Sequence, residues 1–228
     1  KDYNFISLPV VDNEARLVGI ITVDDIMDVI DQENTEDFEK MAALLPSEDE
    51  YLKTSVFELT KNRIIWLMVL MISGTISASI ISHYQYVLTS VLALSAYMTI
   101  LTGTGGNSGS QASTLIIRGM ALGEIEMKDV IKVLWKELRV GMLCGVMLGA
   151  VNFARLLIFD HVSLAVNLTV SITMAVVVVV AKGIGCTLPM LAKKIGFDPA
   201  IMAGPLITTV VDAISLFIYF KIAAPLLL

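Results

Sequence analysis

The sequence predicts an all-α polytopic membrane protein with five transmembrane helices, its N-terminus inside the cell and its C-terminus outside. Three observations lead to this prediction. The 228 residues are 56% hydrophobic, with a mean hydropathy of +0.77, which is far more apolar than an ordinary soluble domain. Almost uncharged runs long enough to cross a bilayer recur along the chain. The charges gather between these runs and ahead of the first one.

The predicted spans are five apolar runs of about the ~20 residues that a membrane helix needs. They cover residues 64–82, 84–117, 140–154 (continuing to 159), 162–181 and 199–220. The connection 118–139 carries several Lys and Arg residues, and the segment after the fourth span carries Lys182, Lys193 and Lys194. The positive-inside rule makes these two loops cytoplasmic, which also predicts a cytoplasmic N-terminal part.

The small number of spans predicts an oligomer. Five helices are few to enclose a pore, so we expect a homodimer around a twofold axis. Gly141, Gly145 and Gly149 recur every four residues in the third span, a spacing that lets helix backbones approach closely in lipid. This close contact lies either within one chain or between two.

The segment ahead of the first span is strongly acidic. Of the 22 acidic residues, 12 lie between Asp24 and Glu58, and a nucleic-acid partner is not expected because it needs a basic face. Cys144 and Cys186 form no disulfide or metal-binding pattern. The first residues lack a basic start followed by an apolar core, so they predict the interior of a domain rather than a signal peptide.

Asp212 is the sharpest functional signal. It lies ~14 Å beyond Ala203 along a helix, near the middle of the bilayer, where a carboxylate costs roughly 2.5–3.5 kcal/mol unless it is compensated. The simplest compensation is a cation from solution; the alternative is a protonated Asp212 bonded to a hydroxyl inside the bundle. Helical steps place one polar stripe on this span, made of Gly204, Thr208, Asp212, Ser215 and Tyr219.

The glycine-rich stretch "LTGTGGNSGSQAST", residues 101–114, predicts a second part of an ion path. Its glycines, Gly103, Gly105, Gly106 and Gly109, suggest an irregular backbone with free carbonyls, which membranes tolerate only in protein or beside water. Asn107 and Gln111 add side-chain oxygens. Carbonyls, amides and a carboxylate suit hard cations such as Mg²⁺. The alternative is a glycine hinge used for packing.

These residues also carry a family resemblance. "GTGGNSGSQASTLIIRGMALGEI" followed by "DPAIMAGPLITTVVDA" resembles the MgtE family of bacterial magnesium channels and transporters. "LPVVDNEARLVGIITVDDIMDVI" is similar to the last two strands and helix of the family's second CBS domain, an α/β fold. The sequence from residue 32 is similar to its connecting "plug" helix. The resemblance implies three domains: residues 1–31 as the end of the CBS domain, 32–60 as the plug helix and 61–228 as the pore.

The resemblance implies a function and a set of sites. It implies a homodimeric, magnesium-selective channel in the bacterial inner or plasma membrane, with no enzymatic activity, closed by cytoplasmic Mg²⁺. The implied metal residues are Asp212, Gly106, Asn107, Thr208, Gly204 and Asp198, the last near the cytoplasmic entrance. Where some members have Asn before the matching proline, Gly204 offers only backbone. The pore-lining residues expected beside them are Gly103, Gly105, Gly109, Gln111 and Ser215. The regulatory metal residues expected are Asp24, Asp25, Asp28, Asp31, Glu36 and Asp37.

Other function classes fit less well. An intramembrane aspartyl protease needs two facing acids, and Asp212 is the single acid predicted near mid-bilayer. A non-conducting sensor explains the acidic segment but not an acid within the bilayer. The runner-up is a cation-coupled Mg²⁺ exchanger of the related solute-carrier group, whose flux would depend on sodium.

Overall fold

The computed structural model describes residues 4–47 and 51–228, and these are mostly helical. Residues 1–3 and 48–50, which belong to the predicted CBS and plug segments, lie outside the described residues. The chain starts with strands β1 (Ser7–Val11) and β2 (Leu17–Thr22), paired antiparallel. Helix α1 (Val23–Met41) follows at once, because Thr22 and Asp25 form a reciprocal capping box at its N-terminus.

Helix α1 crosses the predicted border between the first two domains. The border at residues 31 and 32 lies inside this one helix, and residues 42–47 and 51–55 are not helical. The plug segment therefore continues the helix that follows β2 instead of starting a new one. The predicted start of the pore domain at residue 61 likewise lies inside helix α2 (Val56–His83), which begins at the N-cap Ser55.

Six helices build the membrane part. After α2 come the short α3 (Gln85–Ser90) and four long helices, α4 (Leu94–Ala121), α5 (Val130–Arg155), α6 (Leu164–Lys194) and α7 (Gly204–Leu227). A π-helical turn, Leu156–Asp160, extends α5. Within the described residues, four helices are long and apolar enough to cross a membrane: α2, α5 with its flanking turns, α6 and α7. Helix α4 is long enough, but its glycines, hydroxyls and amides make it too polar.

The glycine-rich stretch differs from the expectation. Residues 101–114 are helical throughout α4, so their carbonyls lie within a regular helix. The interruption in this part of the chain lies at residues 91–93 instead, between α3 and α4. Glycine disfavours a helix in isolation, but here the glycines allow α4 to pack closely against its neighbours.

The position of Lys182 corrects the sequence-based loop. Helix α6 does not end at residue 181 but continues to Lys194, so Lys182 lies inside the helix and is 6% exposed. Only Lys193 and Lys194 of that predicted basic loop remain near a helix end. Similarly, Lys132, Lys136 and Arg139 of the predicted connection 118–139 belong to helix α5.

The glycine stripe of the third predicted span packs within the chain. A Cβ at Gly145 would lie 2.6 Å from the Ala175 carbonyl oxygen of α6, and one at Gly149 would lie 2.9 Å from that of Ser171. Helix α6 also packs against α4 and α7, and α7 contacts α4 and α2. Helix α2 buries no residue and lies outermost.

Candidate functional site

The structure brings Asp212 together with α4 at Gly106. A Cβ at Gly106 would lie 3.3 Å from Thr208 Cβ and 3.4 Å from Asp212 Oδ1. Gly106 is buried, so its lack of a side chain lets α4 pack closely against Thr208 and Asp212 of α7. Of the predicted metal residues, these three form one group, which joins the glycine-rich stretch to the polar stripe of α7.

The Asp212 carboxylate is available to bind an ion. It is partly exposed and is the one acid of α7, and among the described residues it has no hydrogen bond or ion pair. Asp212 lies about two turns, or ~12 Å, beyond Gly204, the first residue of α7. The nearby Thr208 hydroxyl donates to the Pro205 carbonyl at 2.9 Å, which leaves its oxygen able to accept.

Three predicted pore-lining residues lie instead in helix contacts within the chain. Ser215 is 2% exposed, and a Cβ at Gly105 would lie 2.7 Å from its Oγ. A Cβ at Gly109 would lie 3.1 Å from Val211 and 3.2 Å from the Ala181 carbonyl oxygen. Gly105 and Gly109 thus allow α4 to approach α6 and α7. Tyr219, at the far end of the polar stripe, is buried and donates to the Leu94 carbonyl.

The other predicted residues of α4 lie on its exposed side. Gly103, Asn107 and Gln111 are exposed, and a Cβ at Gly103 would meet nothing within 4 Å. Asn107 and Gln111 line an open groove of about 680 Å³; the rest of its lining is Ser110, Thr114, Leu115 and Lys182. We call this the α4 groove. It presents amides and hydroxyls on a helix that lies among membrane spans.

At the start of α7, the predicted metal residues Gly204 and Asp198 contact α1. Gly204 has a φ of +47°, and a Cβ there would collide with the Met41 carbonyl oxygen, so a larger side chain is excluded by both conformation and space. Asp198 Oδ2 accepts a hydrogen bond from Lys40 Nζ at 2.6 Å, while its Oδ1 accepts one from the Ala200 amide. The C-terminal end of α1 is therefore fixed to the turn before α7.

The electrostatics of this contact favour the charged pair. Burial alone would raise the pKa of Asp198, but the hydrogen bonds from Lys40 and the Ala200 amide outweigh it and hold that pKa below its usual value. The hydrogen bonds of Lys40 to Asp198 and Glu36 raise the pKa of its ammonium. Burial, and next the charge of Asp198, raise the pKa of Asp37. Lys40 thus lies among three acids, and one positive charge does not neutralise them.

The remaining predicted regulatory acids are distributed along α1. Asp24, Asp25 and Asp28 are exposed near its start, and Asp25 accepts hydrogen bonds from the amide and hydroxyl of Thr22. Those bonds lower the pKa of Asp25, the hydroxyl contributing most. Asp31 and Glu36 line a second groove of about 680 Å³ with two further acids, Glu33 and Glu39. This surface is acidic and open to solvent.

Within residues 4–47 and 51–228, no three His, Cys, Asp or Glu side chains form a ready metal cage. Within the described part of the chain, Asp212 is thus a single, partly exposed carboxylate and not a member of a cluster of metal-binding side chains.

Sequence reasoning missed three charged residues. Lys40 pairs with Asp198, and Lys182 pairs with Glu137, whose Oε2 lies 3.9 Å from Lys182 Nζ. The signal for Glu137 was present, since it lies four residues before Gly141 and continues the step of four through Gly145 and Gly149. The sequence predicts a loop at Lys182 because its charge ends the apolar run. No local pattern indicated the partner of Lys40.

Comparisons with known proteins identify the same family that the sequence motifs resemble. The family model MgtE, described as a divalent cation transporter, matches residues 98–222, and a CBS domain model matches residues 1–32. The chain is 38% identical over 226 residues to the magnesium transporter MgtE of Thermus thermophilus, covering 99% of this chain and 50% of that protein. The proteins of the same name in Bacillus subtilis and Enterococcus faecalis are 36% and 33% identical, over 97% and 98% of this chain and 48% and 49% of theirs. The chain thus spans about half the length of the curated relatives it matches.

Proposed function

Because the chain belongs to the MgtE family of divalent cation transporters, we propose that it forms a magnesium-selective channel through which Mg²⁺ enters the cell. The family consists of transporters, not enzymes. The observation that carries the proposal is the group of Gly106, Thr208 and Asp212. It places a carboxylate that has no ion pair among the described residues next to α4, at a position where a side chain larger than that of glycine would crowd it.

In this proposal, Asp212 binds Mg²⁺ largely through retained waters. A hydrated ion needs room for its water shell and oxygens that accept hydrogen bonds. Thr208 and Asp212 supply the oxygens; Asp212 is partly exposed, and glycine at position 106 adds no side chain that would crowd the carboxylate. Asn107 and Gln111, on the exposed side of α4, contact the ion's waters elsewhere along the path. Weak binding through water lets the ion leave again, which conduction requires.

We propose that two copies of the chain enclose the path. The polar side of α4 and the partly exposed Asp212 cannot face lipid without a large cost. In a single chain they lie at the surface of the helix bundle, and a second copy would cover them. The proposed subunit has five spans, with α4 as the polar one among them, its N-terminal part in the cytoplasm and its C-terminus outside. It lies in a bacterial inner or plasma membrane.

The membrane potential is sufficient to drive uptake. One elementary charge crossing 100 mV releases about 2.3 kcal/mol, so a divalent ion releases about 4.6 kcal/mol. No coupled ion is needed on this scheme. A cation-coupled exchanger, in contrast, would need sodium for the same flux.

We propose that cytoplasmic Mg²⁺ closes the path through α1. The four acids of the groove beside α1 (Asp31, Glu33, Glu36 and Glu39), with Asp37 and the exposed acids near the start of the helix, repel one another and the same residues of a second copy. Bound divalent ions relieve this repulsion and favour the compact arrangement. The contact of Lys40 with Asp198 then transmits the position of α1 to the start of α7.

The test is Mg²⁺ flux into liposomes that contain the purified chain, with an interior-negative potential. We expect potential-driven flux without sodium, and its loss in Asp212→Ala at matched reconstitution. Thr209→Val is the matched control, since Thr209 lies on the same helix and donates to the same Pro205 carbonyl as Thr208. If Asp212→Ala conducts like the wild type, the site assignment is wrong. If flux requires sodium, the exchanger takes the place of the channel.

A further inference from the structure

A buried acid–base pair links α5 to α6 and takes no part in the function proposed above. Glu137 is 9% exposed and Lys182 is 6% exposed, and the distance from Lys182 Nζ to Glu137 Oε2 is 3.9 Å. Charges buried among membrane helices are costly and are retained where they are paired or functional. This pair therefore requires an explanation.

The α5–α6 contact holds the pair in place. A Cβ at Gly141 would lie 3.7 Å from Lys182 Cβ, so the lysine leaves α6 where the two helices approach closely. From there, Lys182 reaches two places, Glu137 on α5 and the α4 groove, whose wall it forms together with Asn107, Ser110, Gln111 and Thr114.

Glu137 does not accept a hydrogen bond from the Lys182 ammonium. A distance of 3.9 Å is too long for a hydrogen bond, and among the described residues Lys182 makes none. No fully enclosed side-chain nitrogen or oxygen of the described chain lacks a hydrogen-bond partner, so the ammonium nitrogen remains accessible. Its positive charge thus acts on the α4 groove as well as on Glu137.

We propose that Lys182 is a tethered cation that neutralises Glu137 and keeps divalent cations from binding in the α4 groove. The inference rests on the proposed function, because it concerns a groove on the same helix as Gly106. Lys182 lines the α4 groove and its ammonium lies 3.9 Å from Glu137 Oε2, so a divalent cation that took the place of the ammonium would lie between the Glu137 carboxylate and the amide and hydroxyl oxygens of the groove. Such oxygens are the ligands that hard divalent cations bind. A second tight site there would hold ions and slow their passage.

The proposal predicts opposite effects for the two members of the pair. Lys182→Gln leaves an uncompensated carboxylate, so divalent-cation binding becomes stronger. Glu137→Gln leaves an uncompensated ammonium, so binding becomes weaker. The double variant restores a neutral pair and returns binding to the wild-type value. If the pair serves only helix packing, both single variants lower stability and neither changes ion binding.

The experiment measures Mn²⁺ binding to the detergent-solubilised 228-residue chain by electron paramagnetic resonance, alongside Mg²⁺ flux in liposomes. We expect Lys182→Gln to bind one additional Mn²⁺ per chain and to half-saturate flux at about tenfold lower Mg²⁺, as one charge change beside a divalent ion implies. We expect Glu137→Gln to shift half-saturation in the opposite direction, and the double variant to match the wild type.

Unchanged Mn²⁺ stoichiometry and half-saturation in both single variants would overturn the proposal. If Lys182→Gln does not fold, the same binding measurement is made on Glu137→Gln. Lys182→Arg, which retains the charge, then serves as the control. If the wild type carries no Mg²⁺ at all, the proposed function fails. The Mn²⁺ stoichiometry then still shows whether Lys182 blocks a cation site.

Discussion

Two acids lie about two turns into two of the membrane helices, α7 and α5, yet their surroundings differ. Asp212 on α7 is partly exposed and unpaired among the described residues, and it faces a glycine. Glu137 on α5 is buried and has Lys182 at 3.9 Å. The second acid already has a cation that cannot leave, whereas the first is partly exposed and has none among the described residues. The same side-chain chemistry thus supports either a fixed charge pair or a place for a mobile ion.

Removing the unpaired carboxylate tests this comparison most strongly. Asp212→Asn keeps the size of the side chain but loses the charge, and a charge-assisted contact to the ion's water shell is worth up to about 3 kcal/mol. We expect Mg²⁺ flux in liposomes to fall about 100-fold. Glu124→Gln, an exposed acid in the connection before α5, is the control and should conduct normally. Equal flux in both variants would remove the distinction between the two acids.

Crowding the contact that carries the paired acid tests its structural basis. A Cβ at Gly145 would lie 2.6 Å from a backbone oxygen of α6 that cannot move aside easily. We expect Gly145→Ala to destabilise the chain by about 2 kcal/mol, measured by thermal unfolding in detergent. Gly183→Ala is the control, because its Cβ would meet only side-chain atoms at 3.7 and 3.9 Å. A wild-type melting temperature for Gly145→Ala would show that α5 and α6 do not pack so closely.

Adding a methyl group beside the unpaired acid tests whether the glycine there matters. A Cβ at Gly106 would lie 3.3 Å from Thr208 and 3.4 Å from Asp212, so these side chains would have to shift slightly. We expect Gly106→Ala to fold and to lower Mg²⁺ flux about fivefold, which corresponds to about 1 kcal/mol. Gly103→Ala on the same helix meets nothing within 4 Å and should conduct normally. The proposal would lose its main support if both alanines behaved alike.

Breaking the ion pair of Lys40 with Asp198, at the turn before α7, is expected to have the smallest effect on stability. The pKa of Lys40 is raised, so the stability that its charge contributes to the fold is lost only as the pH rises through that raised value. The pKa of Asp198 is lowered, so the stability that its charge contributes is lost only as the pH falls through that lowered value. We expect Lys40→Met to cost no more than about 1 kcal/mol, by the same amount at pH 5 and pH 9.

Thermal unfolding at the two pH values checks this expectation, with Lys132→Met as control. Lys132 pairs with Asp129 at 3.0 Å, but it is 82% exposed, and its removal should change little. If wild type and Lys40→Met unfolded at the same temperature anywhere between pH 5 and pH 9, the Lys40–Asp198 contact would titrate in that range. This result would contradict the direction of the two pKa shifts.

The sequence by itself determined the helical membrane class, the polar stripe around Asp212 and the family, because hydropathy, helical spacing and motif order are local properties of the chain. It did not predict that α4 is continuous through its glycines or that α6 continues past Lys182. Those outcomes depend on neighbours: close packing offsets the poor helix propensity of glycine, and Glu137 compensates the charge of Lys182. The pairings of Gly106 with Asp212, Lys40 with Asp198 and Glu137 with Lys182 join residues far apart in sequence. Only the packing of the helices could decide them.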